Sequence, residues 1–190
     1  MRDASLGTFL FGMSFVATIL LAALFLTLLA VAIIPSHTGV QAREHGAILA
    51  FLCNPFSKME TLSFLTPDEI SHLVDVRWLL VKGAVLLAAL LALLPWSMRR
   101  LRDALRKTAR TAAFLIVTMF GAAALGTLLT GFTDGWSYFH AVFFPQGNWA
   151  FPATSVLITL YPETYFLGCA LLFAGFSVVL SATVLAKMRT

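Results

Sequence analysis

The chain has 190 residues, 59% of them hydrophobic and only 12% charged. Soluble domains carry about 25% charged residues, so composition excludes one and leaves an integral membrane protein. The net charge of +4 gathers largely in one segment, with Arg99, Arg100, Arg102, Arg106, Lys107 and Arg110, and in a membrane protein that is an orientation signal, not a nucleic-acid interface.

Four apolar runs stand out, at residues 6–34, 78–96, 111–130 and 164–186. Each is close to the ~20 residues that a spanning helix needs. Lipid offers no partners to backbone polar groups, so the spans must be helices. The expected architecture is an all-α polytopic protein, a single membrane domain over residues 1–190. Arg2 and the Ala30–Ala32 stretch have the flavour of a cleavable signal peptide. The apolar core is far longer than the usual ~7–15 residues, so the first run is expected to be a retained span. Arg2, Lys187 and Arg189 fall on the same side as the basic loop, residues 97–110. The positive-inside rule then puts both termini and that loop in the cytoplasm, with residues 35–77 and 131–163 outside. Glu44, Glu60, Asp68, Glu69, Asp75, Asp134 and Glu163 gather on that outer side with His37, His45, His72 and His140. Such one-sided gathering marks a working face.

In chain order, residues 35–58 begin irregularly and turn mildly amphipathic over 44–52 before Pro55 stops them. They are expected to lie against the outer leaflet, with His37 and His45 as ordinary loop or interface residues. Cys53 and Cys169 share no motif that would pair them. Next comes LTPDEISHLVDVRWLL. Thr66 and Glu69 have capping-box spacing, and Pro67 sits at the first helical position. At ~100° per residue, Asp68, His72, Asp75 and Lys82 share one stripe of this helix. Either acid can orient the imidazole, and the Lys82 ammonium is expected to snorkel outward to the group. Arg77 is expected to face headgroups. The plain alternative is a capped, solvated helix end.

Gly121 and Gly126 among alanines suit the third run to close helix packing. Beyond it, Trp136, Tyr138, Phe139, Phe143, Phe144, Trp149 and Phe151 crowd a stretch broken by Pro145, Gly147, Asn148 and Pro152. The pattern predicts an interfacial helix over about 135–144 and then a re-entering loop. His140 shares a helical stripe with Trp136, Phe143 and Phe144, so its ring faces an apolar surface. It is either a satisfied structural residue or a base kept neutral by desolvation.

Three segments, EISHLVDVRWLL, FHAVFFPQGNWAF and LITLYPETYF, resemble the bacterial lipoprotein intramolecular transacylases, the Lit family. The resemblance rests on His72, Asp75 and Val76; on Phe139, His140, Phe143 and Phe144; on Trp149; and on the turn ending in Pro162 and Glu163. It covers essentially the whole chain, with the spans in the same order. It implies a four-helix protein of the bacterial cytoplasmic membrane, with a diacylated lipoprotein as substrate and no cofactor. The sn-2 acyl chain of the lipoprotein's diacylglyceryl-cysteine moves to that cysteine's own α-amine, giving the lyso form. His72 and His140 match the family's proposed catalytic pair. Where the family is expected to carry an acid after the Trp, this chain has Phe151-Pro152-Ala153-Thr154-Ser155.

The residues suit that chemistry. An α-amine has a pKa near 7.7–8.0, so a neutral imidazole is a fitting base for it. The ester carbonyl becomes an oxyanion, for which Lys82, the Tyr138 hydroxyl, the Trp149 indole N–H or backbone N–H groups are candidate donors. Asp68, Asp75 and Glu163 are candidate supporting carboxylates. Two other classes stay open on residues alone. One is a cofactor protein, with His72 and His140 as haem ligands or zinc drawn to His37 or His45. The other is a non-catalytic assembly subunit.

Overall fold

A computed structural model describes residues 2–33, 39–100 and 102–187. The described chain is helical: α1 (Arg2–Ile33), α2 (Gly39–Cys53), a 3-10 turn (Met59–Leu62), α3 (Pro67–Arg100), α4 (Arg102–Thr130), α5 (Phe132–Phe143), the single-turn α6 (Val156–Leu160) and α7 (Glu163–Lys187). Four stretches are long and apolar enough to cross a membrane: Gly7–Ile33, Pro67–Trp96, Arg110–Thr127 and Glu163–Ala186. The protein is therefore an all-α, four-span membrane protein.

The chain forms two compact units. The first comprises Met1–Leu28, Gly83–Leu125 and Leu171–Thr190. Phe11, Phe15 and Ile19 recur every four residues, so one stripe of α1 presents them together. They close a core with Ala112 and Ile116 of α4, joined by Leu94, Phe120, Leu180 and Val184. Small residues set the spacing, for a Cβ on Gly12 would stand 3.2 Å from Thr108 Cγ2. Hydroxyls in these apolar helices donate to their own backbone, Thr18 to Ser14 O and Ser181 to Ser177 O. Those hydroxyl hydrogens are thereby not left to the hydrocarbon.

The second unit comprises Leu29–Lys82 and Gly126–Ala170. Its core joins Ile48 and Phe51 of α2, Leu62 of the 3-10 turn, Leu65 between that turn and α3, Leu73 of α3, and Leu157 and Leu160 of α6. Two expectations are corrected here. His45 is not an ordinary loop or interface residue, because α2 turns it inward with Ile48 and Phe51, and His45 Nδ1 stands 2.9 Å from the Tyr161 hydroxyl. His37 lies outside the described residues. Nor does Arg77 face outward. It is 7% exposed, donates from a terminal guanidinium nitrogen to Ser57 O at 3.0 Å, and lies 4.1 Å over the Phe51 ring. A flat guanidinium carries few bound waters, so it stacks on an aromatic face more cheaply than an ammonium would.

Burial pushes the Tyr161 hydroxyl pKa up, with Tyr165 adding to it, so this phenol stays protonated. Cys53 and Cys169 are both free thiols.

Candidate active site

The site belongs wholly to the second unit and begins at the start of α3. Glu69 N donates to Thr66 Oγ1 at 3.3 Å, while Glu69 Oε2 accepts from Thr66 N and Thr66 Oγ1, both at 2.8 Å. This is the reciprocal cap that the spacing predicts. Glu69 also does something the spacing does not announce. It is 1% exposed, and its second oxygen accepts from Leu157 N at 3.0 Å. The start of α3 is thus tied to the first turn of α6, whose own cap is Ser155 Oγ accepting from Ile158 N.

One turn past Glu69 stands His72. The alternative of a solvated helix end does not hold for its imidazole, since His72 is only 9% exposed. Its ring meets Phe144 edge-on at 4.8 Å and Phe151 at 5.8 Å, between centroids. The surface it faces belongs to segments far along the chain, which local periodicity does not register.

The second imidazole comes from α5. Gly131, at φ +91°, takes a backbone conformation that a side chain disfavours, and it separates α4 from α5. The helix starts at Phe132, three residues earlier than expected, and ends at Phe143. His140 is 4% exposed, enclosed by Trp136 at 4.1 Å, Trp149 at 4.8 Å, Phe139 at 5.3 Å and Phe144 at 5.6 Å. His140 Nδ1 is 2.8 Å from Trp136 O. A carbonyl only accepts, so Nδ1 carries the proton, and in the neutral ring Nε2 holds the lone pair. Burial lowers the His140 pKa from its ordinary value, against a smaller opposing effect of that hydrogen bond. The two imidazoles lie 5.9 Å apart between centroids, inclined at 34°.

Between α5 and α6 the chain turns at Pro145–Gly147. Gly147 N donates to Phe144 O at 3.1 Å, and Gly147 has φ +79°. The turn delivers two amides to α3, with Gln146 Nε2 and Asn148 Nδ2 each donating to Asp75 Oδ2 at 2.7 Å. Asp75 therefore orders the segment carrying Trp149, and no direct hydrogen bond to His72 is made among the described residues. Trp149 itself packs on His140.

The remaining candidates stand apart. Asp68 is exposed, and Tyr138 is 75% exposed. Glu163 is exposed and accepts from Thr133 Oγ1 at 2.7 Å, linking the starts of α7 and α5. Lys82 is exposed and makes no hydrogen bond or ion pair among the described residues, so the expected snorkelling toward His72 is not seen. Lys82→Met is accordingly expected to keep kcat within about threefold of wild type, the small effect usual for an exposed charge. A tenfold loss in a lipopeptide assay would return the ammonium to the site.

Gln146, Asn148 and the reach of Glu69 were not legible as site features. The only signal was two amides, Gln146 and Asn148, lodged in an aromatic run, and it reads equally well as turn chemistry. Among the described residues, no three His, Cys, Asp or Glu side chains converge as a metal site would require.

Fold and site define an integral membrane protein that buries two imidazoles side by side among aromatic rings. The family model for the lipoprotein intramolecular transacylase Lit matches residues 4–166. The chain belongs to that family, and it is a membrane acyltransferase. The lipoprotein intramolecular transacylase Lit of Bacillus cereus shares the fold, with a TM-score of 0.79 at 19% identity over 99% of this chain and 95% of that one. A single-substitution variant of the same Bacillus cereus protein gives 0.72 at 18% identity, over 99% and 94%. No curated protein sequence matches.

Proposed function

We propose that the enzyme moves the sn-2 acyl chain of a lipoprotein's diacylglyceryl-cysteine to that residue's α-amine, with His72 and His140 sharing the proton work. The observation that supports this most is the approach of the two imidazoles, 5.9 Å between centroids, both buried among aromatic rings. The amine nitrogen attacks the ester carbonyl and loses a proton to a neutral imidazole. The tetrahedral intermediate collapses by breaking the bond to the glycerol oxygen. That oxygen takes up the proton shed by the amine, handed on through the second imidazole, so both rings end the turnover neutral, as they began. An amide replaces an ester, and the protons balance.

Nucleophile and ester belong to one molecule, joined through an about eight-membered ring, so holding that ring folded supplies much of the rate. The aromatic walls suit this task, since they bind acyl and glyceryl groups and keep water from competing for the ester. The Trp149 indole N–H is the retained side-chain candidate for the oxyanion, because it packs on His140. With its pKa held low, His140 stays a neutral base through pH 7. The acid limb of kcat is then expected below the ordinary imidazole range, with activity present above it and lost as pH falls through it.

Mass spectrometry of lipoprotein N-terminal peptides, from cells with and without the protein, tests the reaction. Lyso-form peptides should appear only with it. An acyl group found on a second molecule, or none moved, would end the reading.

The charge distribution supports a bacterial cytoplasmic-membrane protein with both termini inside and the site facing outward. Nine of the thirteen Lys and Arg residues, named above at 2, 99–110, 187 and 189, share one side. In a Cys53→Ser background, a membrane-impermeant maleimide should label Lys58→Cys on intact cells and leave Arg102→Cys unlabelled. External labelling at position 102 would invert the topology.

A further inference from the structure

Resting on the roles proposed for His72 and His140, we infer that Asn148 is a positioning residue: clamped by Asp75, its amide oxygen is the acceptor that sets the tautomer of His72. Asp75 stands one turn along α3 from His72, where a direct carboxylate–imidazole pair is the simple expectation. Its Oδ2 is instead engaged by the amides of Gln146 and Asn148, both at 2.7 Å. A carboxylate only accepts, so the Asn148 NH2 must face it, and the flat amide turns Oδ1 the other way. A longer contact, 3.3 Å from Asn148 Nδ2 to Ser71 Oγ, agrees with that orientation.

Asn148 Oδ1 is buried without a hydrogen-bond partner, and so is His72 Nδ1. Asn148 is held against α3 by Asp75 and Ser71, on either side of His72 in sequence, and its side chain favours the protonated form of that imidazole, as an oxygen accepting from the ring would. Two orphaned buried atoms, one able to donate and one only to accept, are each costly alone and satisfied together. The nearby acceptor already favours the Nδ1–H tautomer without substrate, and catalytic hydrogen bonds of this kind tighten when substrate binds. Once joined, His72 matches His140, each ring giving its Nδ1–H to a neutral oxygen, Asn148 Oδ1 in one case and Trp136 O in the other. Each neutral ring then carries its lone pair on Nε2, so either can take or return the proton.

Placing an amide between Asp75 and His72 passes on orientation while keeping the full carboxylate charge off the ring. The titratable neighbours of His72 are Asp75 on its own helix and His140 on α5, with Asp68 and Glu69 one turn back, while Phe144 and Phe151 cover the rest.

Exchanging the two side chains tests the arrangement. Asp75→Asn alone sets two amides face to face, and Asn148→Asp alone sets two carboxylates. Each is expected to lower kcat by about 10–100-fold, as loss of an orienting partner does elsewhere. The double variant Asp75→Asn/Asn148→Asp restores one acceptor and one donor, now with a carboxylate toward His72. It should recover kcat to within about tenfold of wild type, with the acid limb moved up by about one pH unit, the effect of an adjacent opposite charge. A purely structural clamp would recover activity without moving that limb.

Nitrogen-15 NMR of histidine-labelled wild-type protein in detergent gives a reading that needs no turnover. His72 should show a protonated Nδ1 and an unprotonated Nε2. The reverse tautomer, or a double variant no better than the singles, would overturn the inference. Because the tautomer is read without substrate, wild-type protein inert toward lipopeptide would count against acyl transfer alone.

Discussion

His72→Asn and His140→Asn are each expected to abolish the lyso-form product from a synthetic diacylated lipopeptide, with protein level and membrane insertion unchanged. Asparagine can still donate a hydrogen bond where the Nδ1–H did, which at His140 spares the bond to Trp136 O. What it removes is the basic nitrogen. Without it the free amine, available near pH 7 because its pKa is about 7.7–8.0, has no group to take the proton it sheds as the C–N bond forms, or none to return that proton to the alkoxide. Proton transfer alone is typically worth 10²–10⁴-fold, and here both transfers pass through one pair. The double variant should therefore be little worse than either single, because residues acting as a unit are not additive. If the losses multiply, the imidazoles work separately. If either single variant keeps its activity, the pair is not the catalytic machinery.

Glu69→Ala is expected to be the most destabilising single change near the site. Its carboxylate takes hydrogen bonds from Thr66 N, Thr66 Oγ1 and Leu157 N, at 1% exposure. Truncation leaves two backbone donors without acceptors, at about 1–3 kcal/mol for each that is buried. Loss of the cap adds about 1 kcal/mol. A total on the order of 3 kcal/mol corresponds to a fall in Tm of roughly 6–12 °C for a chain of this size. Glu69→Gln keeps one acceptor oxygen and should lose about half as much. Thermal unfolding in detergent reads both, and a wild-type Tm in Glu69→Ala would mean that water satisfies those donors.

What was legible in the chain depended on the range of the interaction. The cap joining Thr66 and Glu69 spans three residues, and its spacing alone announces it. The four spans follow from length and apolarity, since lipid admits few other solutions. The His72–His140 pairing lies 68 positions apart in sequence and no period expresses it; it was legible only through the family resemblance. Arg77 misled because a lone cation near a membrane end usually snorkels, while its partners Phe51, in α2, and Ser57, in the loop after it, lie 26 and 20 residues upstream. The α2 segment misled for a related reason: three buried side chains in fifteen residues make only a faint stripe. Asn148 was hidden by its setting in a turn, where an amide ordinarily serves its own backbone.

The Arg77 guanidinium bears on how the protein is made. A cation at the outer edge of the apolar run 78–96 opposes insertion of that span, by less than the about 2.5–3.5 kcal/mol that it would cost at mid-depth. Its cover is the Phe51 ring and the Ser57 carbonyl, both synthesised earlier, in the segment between the first and second spans. The segment that shelters the charge has thus left the ribosome before the charge does. A chain whose residues 51–57 were slow to fold would present the second span to the insertion machinery bare, so the order of residues along the chain is also an order of assembly.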